Sequence, residues 1–173
     1  MNVDIRLQVV TMLPRLRRFA LSLAGSRDRA DDLVQATCER ALRAAASWEP
    51  GTRLDSWLYR IMQNLWIDEI RKTRPRGTEV PLDEVDKLSG EDGERTALAR
   101  LSMQQVLRAL EQLPAEQRSV VSLVCIEDMS YREVADILAI PVGTVMSRLS
   151  RARTALGALL QPEGSAPEAR SGG

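Results

Sequence analysis

The sequence predicts an all-α protein made of two small helical domains joined by a flexible acidic linker. Leu, Ala, Arg and Glu dominate the 173 residues and aromatic residues make up only 3%, a composition that favours helices over strands. Apolar residues recur at helical spacing in several segments, and no stretch shows the alternation typical of a strand. The length allows one ordinary domain or two small ones. An abrupt change of composition near position 78 favours two.

The first half of the chain contains three amphipathic segments. The first runs from about position 5 to 24 and stops at Gly25. The second begins near Asp28 and ends by the Glu-Pro-Gly turn signal at 49–51. The third opens after Asp55, which the sequence predicts to be its N-cap.

The composition then changes to that of a linker. Residues 78–95 contain seven acids against two bases, with little apolar periodicity, which is typical of a flexible tether. A second helical block follows, and the Pro-, Gly- and Ser-rich end of the chain is expected to be disordered. The predicted divisions are 5–76 for the first domain, 77–95 for the linker, 96–160 for the second domain and 161–173 for the tail.

Composition also excludes several kinds of site. Histidine is absent, which removes the commonest general base, the His-activated nucleophiles and any zinc site that needs imidazole. Cys38 and Cys125 lie far apart and suit a reducing compartment. No apolar run approaches the roughly 20 residues that span a bilayer, and no signal peptide is evident. We therefore expect a cytoplasmic, non-enzymatic protein with no metal, no cofactor and no membrane partner.

The second block contains the pattern of a helix-turn-helix. Ser130 and Glu133 form a predicted capping box that opens one helix, a break follows at 139–141, and a second helix starts near Val142. From Thr144 to Leu156 this second helix carries three arginines and no acid. Such a helix suits the major groove of DNA, although a helical hairpin with a solvated basic face would give the same pattern. The turn and the cap favour DNA binding.

The first block combines aromatic and basic residues. Four of the six aromatic residues fall between positions 48 and 66, and four positive charges follow within 71–76. This combination suits single-stranded nucleic acid, where bases stack and phosphates need countercharge. Trp57 and Trp66, however, lie on the apolar stripe of the third helix and are more simply explained as core.

Four ordered stretches resemble the extracytoplasmic-function (ECF) sigma factors of bacterial RNA polymerase, which belong to the sigma-70 family. They are DRADDLVQATCERAL at 28–42, LDSWLYRIMQNLWIDEIRKTRPR at 54–76, LPAEQRSVV at 113–121 and MSYREVADILAIPVGTVMSRLSRARTAL at 129–156. The opening LPRLRRFALSLAGSRDRADDLVQ is also similar to the general-stress subgroup of alphaproteobacteria. The resemblance implies a sigma region 2 bundle followed by a sigma region 4 helix-turn-helix.

The resemblance also implies a role for each part of the chain. The second helix would contact the clamp helices of the polymerase's largest subunit through Asp32, Gln35, Glu39 and Arg43. The minus-ten promoter element would be recognised and held open by Arg53, Arg60, Asn64, Arg71, Lys72 and Arg74. The minus-thirty-five element would be read by Thr144, Ser147, Arg148, Arg151 and Arg153. Further implied contacts are the polymerase beta flap and an anti-sigma factor that controls a stress response.

Three residues depart from the usual pattern of this family. Ala36 and Cys38 stand where Glu and a larger apolar residue are common, and Met146 replaces the lysine of the usual GTVKSR.

Two other classes of protein fit the sequence less well than a sigma factor does. A conventional helix-turn-helix regulator would leave the first block unexplained, and a nucleic-acid enzyme would lack any visible catalytic or metal-binding group.

Overall fold

A computed structural model describes residues 4–73 and 93–160, with side chains described from position 102 onward in the second range. These ranges contain no strand. Their α-helices are α1 (Ile5–Ala24), α2 (Arg27–Arg43), α3 (Leu54–Thr73), α4 (Gly93–Glu111), α5 (Ala115–Val121), α6 (Tyr131–Leu138) and α7 (Val142–Leu159). A 3-10 turn (Ala45–Ser47) follows α2, and a π-helical turn (Ser122–Ile126) follows α5. No helix within 4–73 or 93–160 is long and apolar enough to cross a membrane.

Helices α1 to α3 form a first lobe around large buried side chains. Phe19, Met62 and Trp66 are at most 1% exposed, so the prediction that Trp66 belongs to the core is confirmed, while Trp57 is half-buried. Gly25 ends α1 in the left-handed conformation at φ 79°, where its N–H donates to the Leu21 carbonyl. A Cβ at this position would also meet the side chain of Glu111 on α4, which would have to move aside.

The N-cap predicted for α3 is wrong. The helix begins at Leu54, so Asp55 lies inside the first turn. Its carboxylate accepts a hydrogen bond from the Ser56 amide at 2.8 Å and pairs with Arg53 and Arg15. The acidic side chain still lies at the positive end of the helix dipole, where a negative charge is favourable. The sequence pattern therefore indicates the start of the helix correctly, although not its first residue.

Helices α4 to α7 form a second lobe that contains the helix-turn-helix. The capping box at α6 is confirmed: Ser130 Oγ accepts from the Glu133 amide at 3.2 Å, and the Glu133 carboxylate accepts from the Ser130 amide at 2.7 Å. Ala139 ends α6 in the left-handed conformation at φ 53°, and α7 starts at Val142 as predicted. Helix α4 begins at Gly93, inside the stretch predicted as linker; the rest of that stretch and the tail lie outside the described residues.

The two lobes pack directly against each other. Helix α1 contacts α4, α5 and the π-helical turn, and α3 contacts α6. Buried apolar residues of both lobes, among them Leu16, Phe19, Leu110 and Leu123, belong to a single continuous core. Sequence reasoning predicted two tethered helical domains but did not predict that they share a core.

Candidate nucleic-acid interface

The exposed face of α7 carries most of the residues predicted to read duplex DNA. Val145, Leu149 and Ala152 are at most 2% exposed and fix the opposite face of α7 against the second lobe. Ser147, Arg151 and Arg153 are therefore directed to solvent, whereas Thr144 and Arg148 are half-buried. The face is preorganised, since the buried stripe determines which side chains point outward.

Arg148 differs from the other two arginines of α7 because it has an acidic neighbour. Its guanidinium lies 3.6 Å from the carboxylate of Glu116 on α5, and its side chain is only 25% exposed. Ser147 Oγ donates to the Thr144 carbonyl at 3.1 Å. The Arg148 guanidinium and the Ser147 hydroxyl thus each have a partner within the second lobe. Arg151 and Arg153 are the exposed cations of this face.

The minus-ten face, defined here as Arg53, Arg60, Asn64, Arg71 and Lys72, lies at the start of α3 and along its outer side. All five residues are exposed, but the first two contact the second lobe. Arg53 forms an ion pair with Glu133, and Arg60 donates to the Asp136 carbonyl at 3.1 Å, both partners belonging to α6. Arg74, the sixth predicted residue, lies outside the described ranges.

Asp55 fixes the position of Arg53. The arginine donates to both carboxylate oxygens, at 3.1 Å and 2.7 Å, in a bidentate arrangement. Burial alone would favour protonated Asp55, but the hydrogen bonds from Arg53 and the Ser56 amide outweigh it and lower the pKa of the carboxyl. The hydrogen bond to Asp55 in turn raises the pKa of Arg53.

The predicted polymerase contact residues lie on the outer side of α2. Asp32, Gln35, Glu39 and Arg43 are all exposed, while Leu33, Val34 and Thr37 face the core. Gln35 Nε2 donates to Glu39 Oε1 at 3.2 Å, so two of the four side chains are ordered relative to each other. The fold thus brings this predicted group together on one open surface.

A buried carboxylate at the lobe interface was missed by sequence reasoning. The Glu127 side chain is fully buried, and Arg18 donates to its two oxygens at 2.9 and 3.0 Å. Tyr59 donates to the same carboxylate at 2.6 Å, and Arg15 approaches it to 3.6 Å. We call these four residues the Glu127 cluster. Burial and this hydrogen bond raise the pKa of Tyr59 well above its ordinary value, so the phenol remains a donor.

Arg118 links the lobes at a second position. Its guanidinium donates to the Leu23 carbonyl at the end of α1 and to the Glu111 carbonyl at the end of α4, at 2.8 and 2.7 Å. It also stacks over the Trp66 ring, with its central carbon 5.5 Å from the ring centroid. Burial lowers the pKa of Arg118. The contacts that cross between the lobes join residues far apart in sequence, Arg118 with Leu23 and Glu127 with Arg18, so helical periodicity carried no signal for either.

Comparison with family models matches both lobes. Residues 9–76 match the model of sigma-70 region 2, and residues 103–156 match the model of sigma-70 region 4. The two matched ranges contain every residue predicted to contact polymerase or DNA.

Similar proteins give a more specific result. The ECF RNA polymerase sigma factor EcfG of Rhodopseudomonas palustris is 38% identical over 94% of this chain and 88% of its own length. The sigma factor RpoE of Bartonella quintana, solved in complex with the anti-sigma factor NepR, has a TM-score of 0.75 at 31% identity, covering 92% of this chain and 98% of that one. CnrH bound to the cytosolic domain of CnrY has a TM-score of 0.66 at 29% identity, covering 88% and 84%. This chain therefore belongs to the ECF sigma factors of the sigma-70 family, with its similarity to EcfG supporting the general-stress subgroup.

Proposed function

We propose that this chain directs promoter-specific transcription as a dissociable subunit of bacterial RNA polymerase, using the residues predicted from its sequence. One observation carries the proposal: the chain joins a region 2 lobe and a region 4 lobe, and the latter exposes an acid-free basic face on its recognition helix. Arginines on such a helix contact guanine edges or phosphates in the major groove. Thr144, Ser147, Arg148, Arg151 and Arg153 read the minus-thirty-five element in this proposal.

The first lobe supplies the other two contacts. Asp32, Gln35, Glu39 and Arg43 bind the clamp helices of the polymerase, which is consistent with their exposure on α2. The minus-ten face, together with Arg74, holds the unpaired bases of the melted promoter. No bond chemistry is required, because binding the melted state better than the duplex is enough to shift the equilibrium toward opening.

Control by an anti-sigma factor and a role in a stress response complete the proposal. The solved complex of RpoE with NepR supports such a partner, because its sigma factor resembles this chain over both lobes. The family relation to transcription initiation factors supports a role that is not enzymatic, carried out in the cytoplasm where bacterial polymerase transcribes.

The first experiment adds the purified chain to core RNA polymerase and measures co-elution and transcription from a library of promoters. A sigma factor co-elutes stoichiometrically and produces promoter-dependent transcripts. A conventional helix-turn-helix regulator instead binds duplex promoter tightly without polymerase, and that result would overturn the proposal.

Variants of the recognition helix test the assignment of residues. Arg148→Ala or Arg151→Ala is expected to weaken promoter-specific transcription by about 1–3 kcal/mol where the side chain contacts a base. Arg151 gives the cleaner result, since Arg148 also pairs with Glu116 inside the lobe. Arg108→Ala, which removes an exposed arginine from α4, is the matched control and should transcribe normally. Unchanged transcription in both recognition-helix variants would remove this assignment.

A further inference from the structure

The lobe interface engages part of the surface that the proposed function needs. Arg53 and Arg60 are the members of the minus-ten face nearest to α6, and both are engaged by oxygen atoms of that helix. Glu133 supplies a carboxylate and Asp136 supplies its backbone carbonyl. Carboxylate and carbonyl oxygens accept the same guanidinium hydrogen bonds that DNA phosphates and base edges accept. Helix α6 thus takes the place that nucleic acid would take at these two arginines.

The Glu127 cluster holds α6 in that place. Glu127 belongs to the second lobe and comes just before α6, whereas its hydrogen-bond donors Arg18 and Tyr59 and its ion-pair partner Arg15 belong to the first lobe. A carboxylate taken out of water is strongly destabilising unless it is paired and fully hydrogen-bonded. Separation of the lobes would break all three of these contacts with Glu127 at once. Every contact of the cluster with this carboxylate crosses from one lobe to the other, so these contacts exist only in the closed arrangement.

The remaining functional surfaces stay open in the closed arrangement. The predicted polymerase contact residues of α2 face solvent, and so do Arg151 and Arg153 on α7. Packing of the lobes engages Arg53 and Arg60 at the start of the minus-ten face and leaves the other two surfaces exposed. Selective engagement of one surface is what a competitor for one ligand requires.

We propose that the free chain adopts this closed arrangement by itself, with α6 acting as an intramolecular competitor for single-stranded minus-ten DNA and the Glu127 cluster holding it closed. The inference rests on the proposed function, which assigns DNA contacts to Arg53 and Arg60. Only open molecules bind the strand, so the apparent affinity of the chain is lowered by the fraction that is open. Binding of polymerase or promoter then has to separate the lobes before the minus-ten element is held.

The test compares two variants that remove one negative charge each with a third that leaves the charge unchanged. Glu127→Gln weakens the cluster, whereas Glu116→Gln removes an exposed carboxylate that pairs only loosely, at 3.6 Å, within the second lobe. Tyr59→Phe removes the 2.6 Å hydrogen bond to Glu127 without changing charge, and its ring can keep the edge-on contact with Phe19. The probe is a fluorescent single-stranded oligonucleotide with the non-template minus-ten sequence of a promoter that the wild-type chain transcribes.

Binding is measured by fluorescence anisotropy, and the overall size of each DNA-free protein by small-angle X-ray scattering. We expect Glu127→Gln to bind the strand at least about tenfold more tightly than Glu116→Gln and to have a larger radius of gyration, with Tyr59→Phe changing both in the same direction. Equal affinities and equal sizes for wild type, Glu127→Gln and Tyr59→Phe would overturn the inference. A wild-type chain that is extended alone and compact only with an anti-sigma factor would overturn it as well. Transcription by wild type with core polymerase is scored separately, so failure of the closed state is distinguishable from failure of the proposed function.

Discussion

Replacement of Arg118 by alanine tests how the lobes are held together at the carboxyl end of α1. The wild-type guanidinium donates to the carbonyls of Leu23, Glu111 and Leu113 at 2.8, 2.7 and 3.3 Å. The first carbonyl belongs to the first lobe and the other two to the second. Arg118→Ala therefore removes a contact between lobes and leaves the carboxyl ends of two helices without their donor.

The expected cost follows from these contacts. A hydrogen bond from a charged donor contributes about 1.5–3 kcal/mol, and Arg118 makes two short ones and a longer one. Contact with the Trp66 ring adds about 1 kcal/mol. The half-buried guanidinium of Arg118 becomes hydrated when the wild-type chain unfolds, and this hydration offsets part of the sum. The net loss of unfolding free energy should be about 3 kcal/mol, which corresponds to a decrease in Tm of about 6–12 °C for a chain of this size.

Chemical denaturation followed by circular dichroism measures this loss. Arg118→Lys should recover only part of it, since one ammonium cannot reach carbonyls that the planar guanidinium bridges. Arg108→Ala removes an exposed arginine from α4 and should stay within about 0.5 kcal/mol of wild type. A loss below about 1 kcal/mol for Arg118→Ala would show that the carbonyl contacts do not stabilise the protein, and would refute the reasoning.

Two further predictions concern DNA. Met146 is 51% exposed on α7, at the position where the resembled GTVKSR motif has lysine. Met146→Lys should therefore strengthen duplex binding at low salt and steepen its salt dependence by about one phosphate contact. Anisotropy titrations over a range of salt concentrations measure both, and an unchanged slope would place this position away from the DNA backbone. Replacing both Arg71 and Lys72 with alanine should slow promoter opening more than closed-complex binding, because they lie at the exposed end of α3 expected to hold the melted strand. Permanganate reactivity of unpaired thymines follows opening, and equal losses in both steps would make the two residues general phosphate contacts instead.

Local patterns in the sequence were enough to predict α1 to α3, α6 and α7 and the division of the chain into two helical blocks, whereas α4 and α5 were predicted only as parts of the second block. The capping box at Ser130 and Glu133 and the break before Val142 place α6 and α7 because each signal is contained within a few neighbouring residues. The apolar stripe of α7 predicts its exposed face for the same reason. Asp55 shows the limit of such signals, since an acid near a helix start is favourable at several positions and does not fix the first residue.

The resemblance to the sigma factor family gave each candidate residue a role. The structure shows whether residues with the same role lie on one surface and whether that surface is open. The four residues of α2 share one open surface, as a common contact with polymerase needs. Arg53 and Arg60, in contrast, are engaged by α6, a contact that no spacing between sequence neighbours predicts.

The sequence by itself determined the helical fold, the order of the two domains and the family, because periodicity, caps and ordered motifs are all local properties of the chain. Only the tertiary structure decided that the lobes share a core and that Glu127 and Arg118 link them. Glu127 and Arg18 are 109 positions apart, and Arg118 and Leu23 are 95 apart. A charged residue is equally compatible with a solvated surface and with a buried pair until its partner is known. The partner is determined by how the whole chain packs, and that packing also determines which predicted DNA-binding residues contact the opposite lobe.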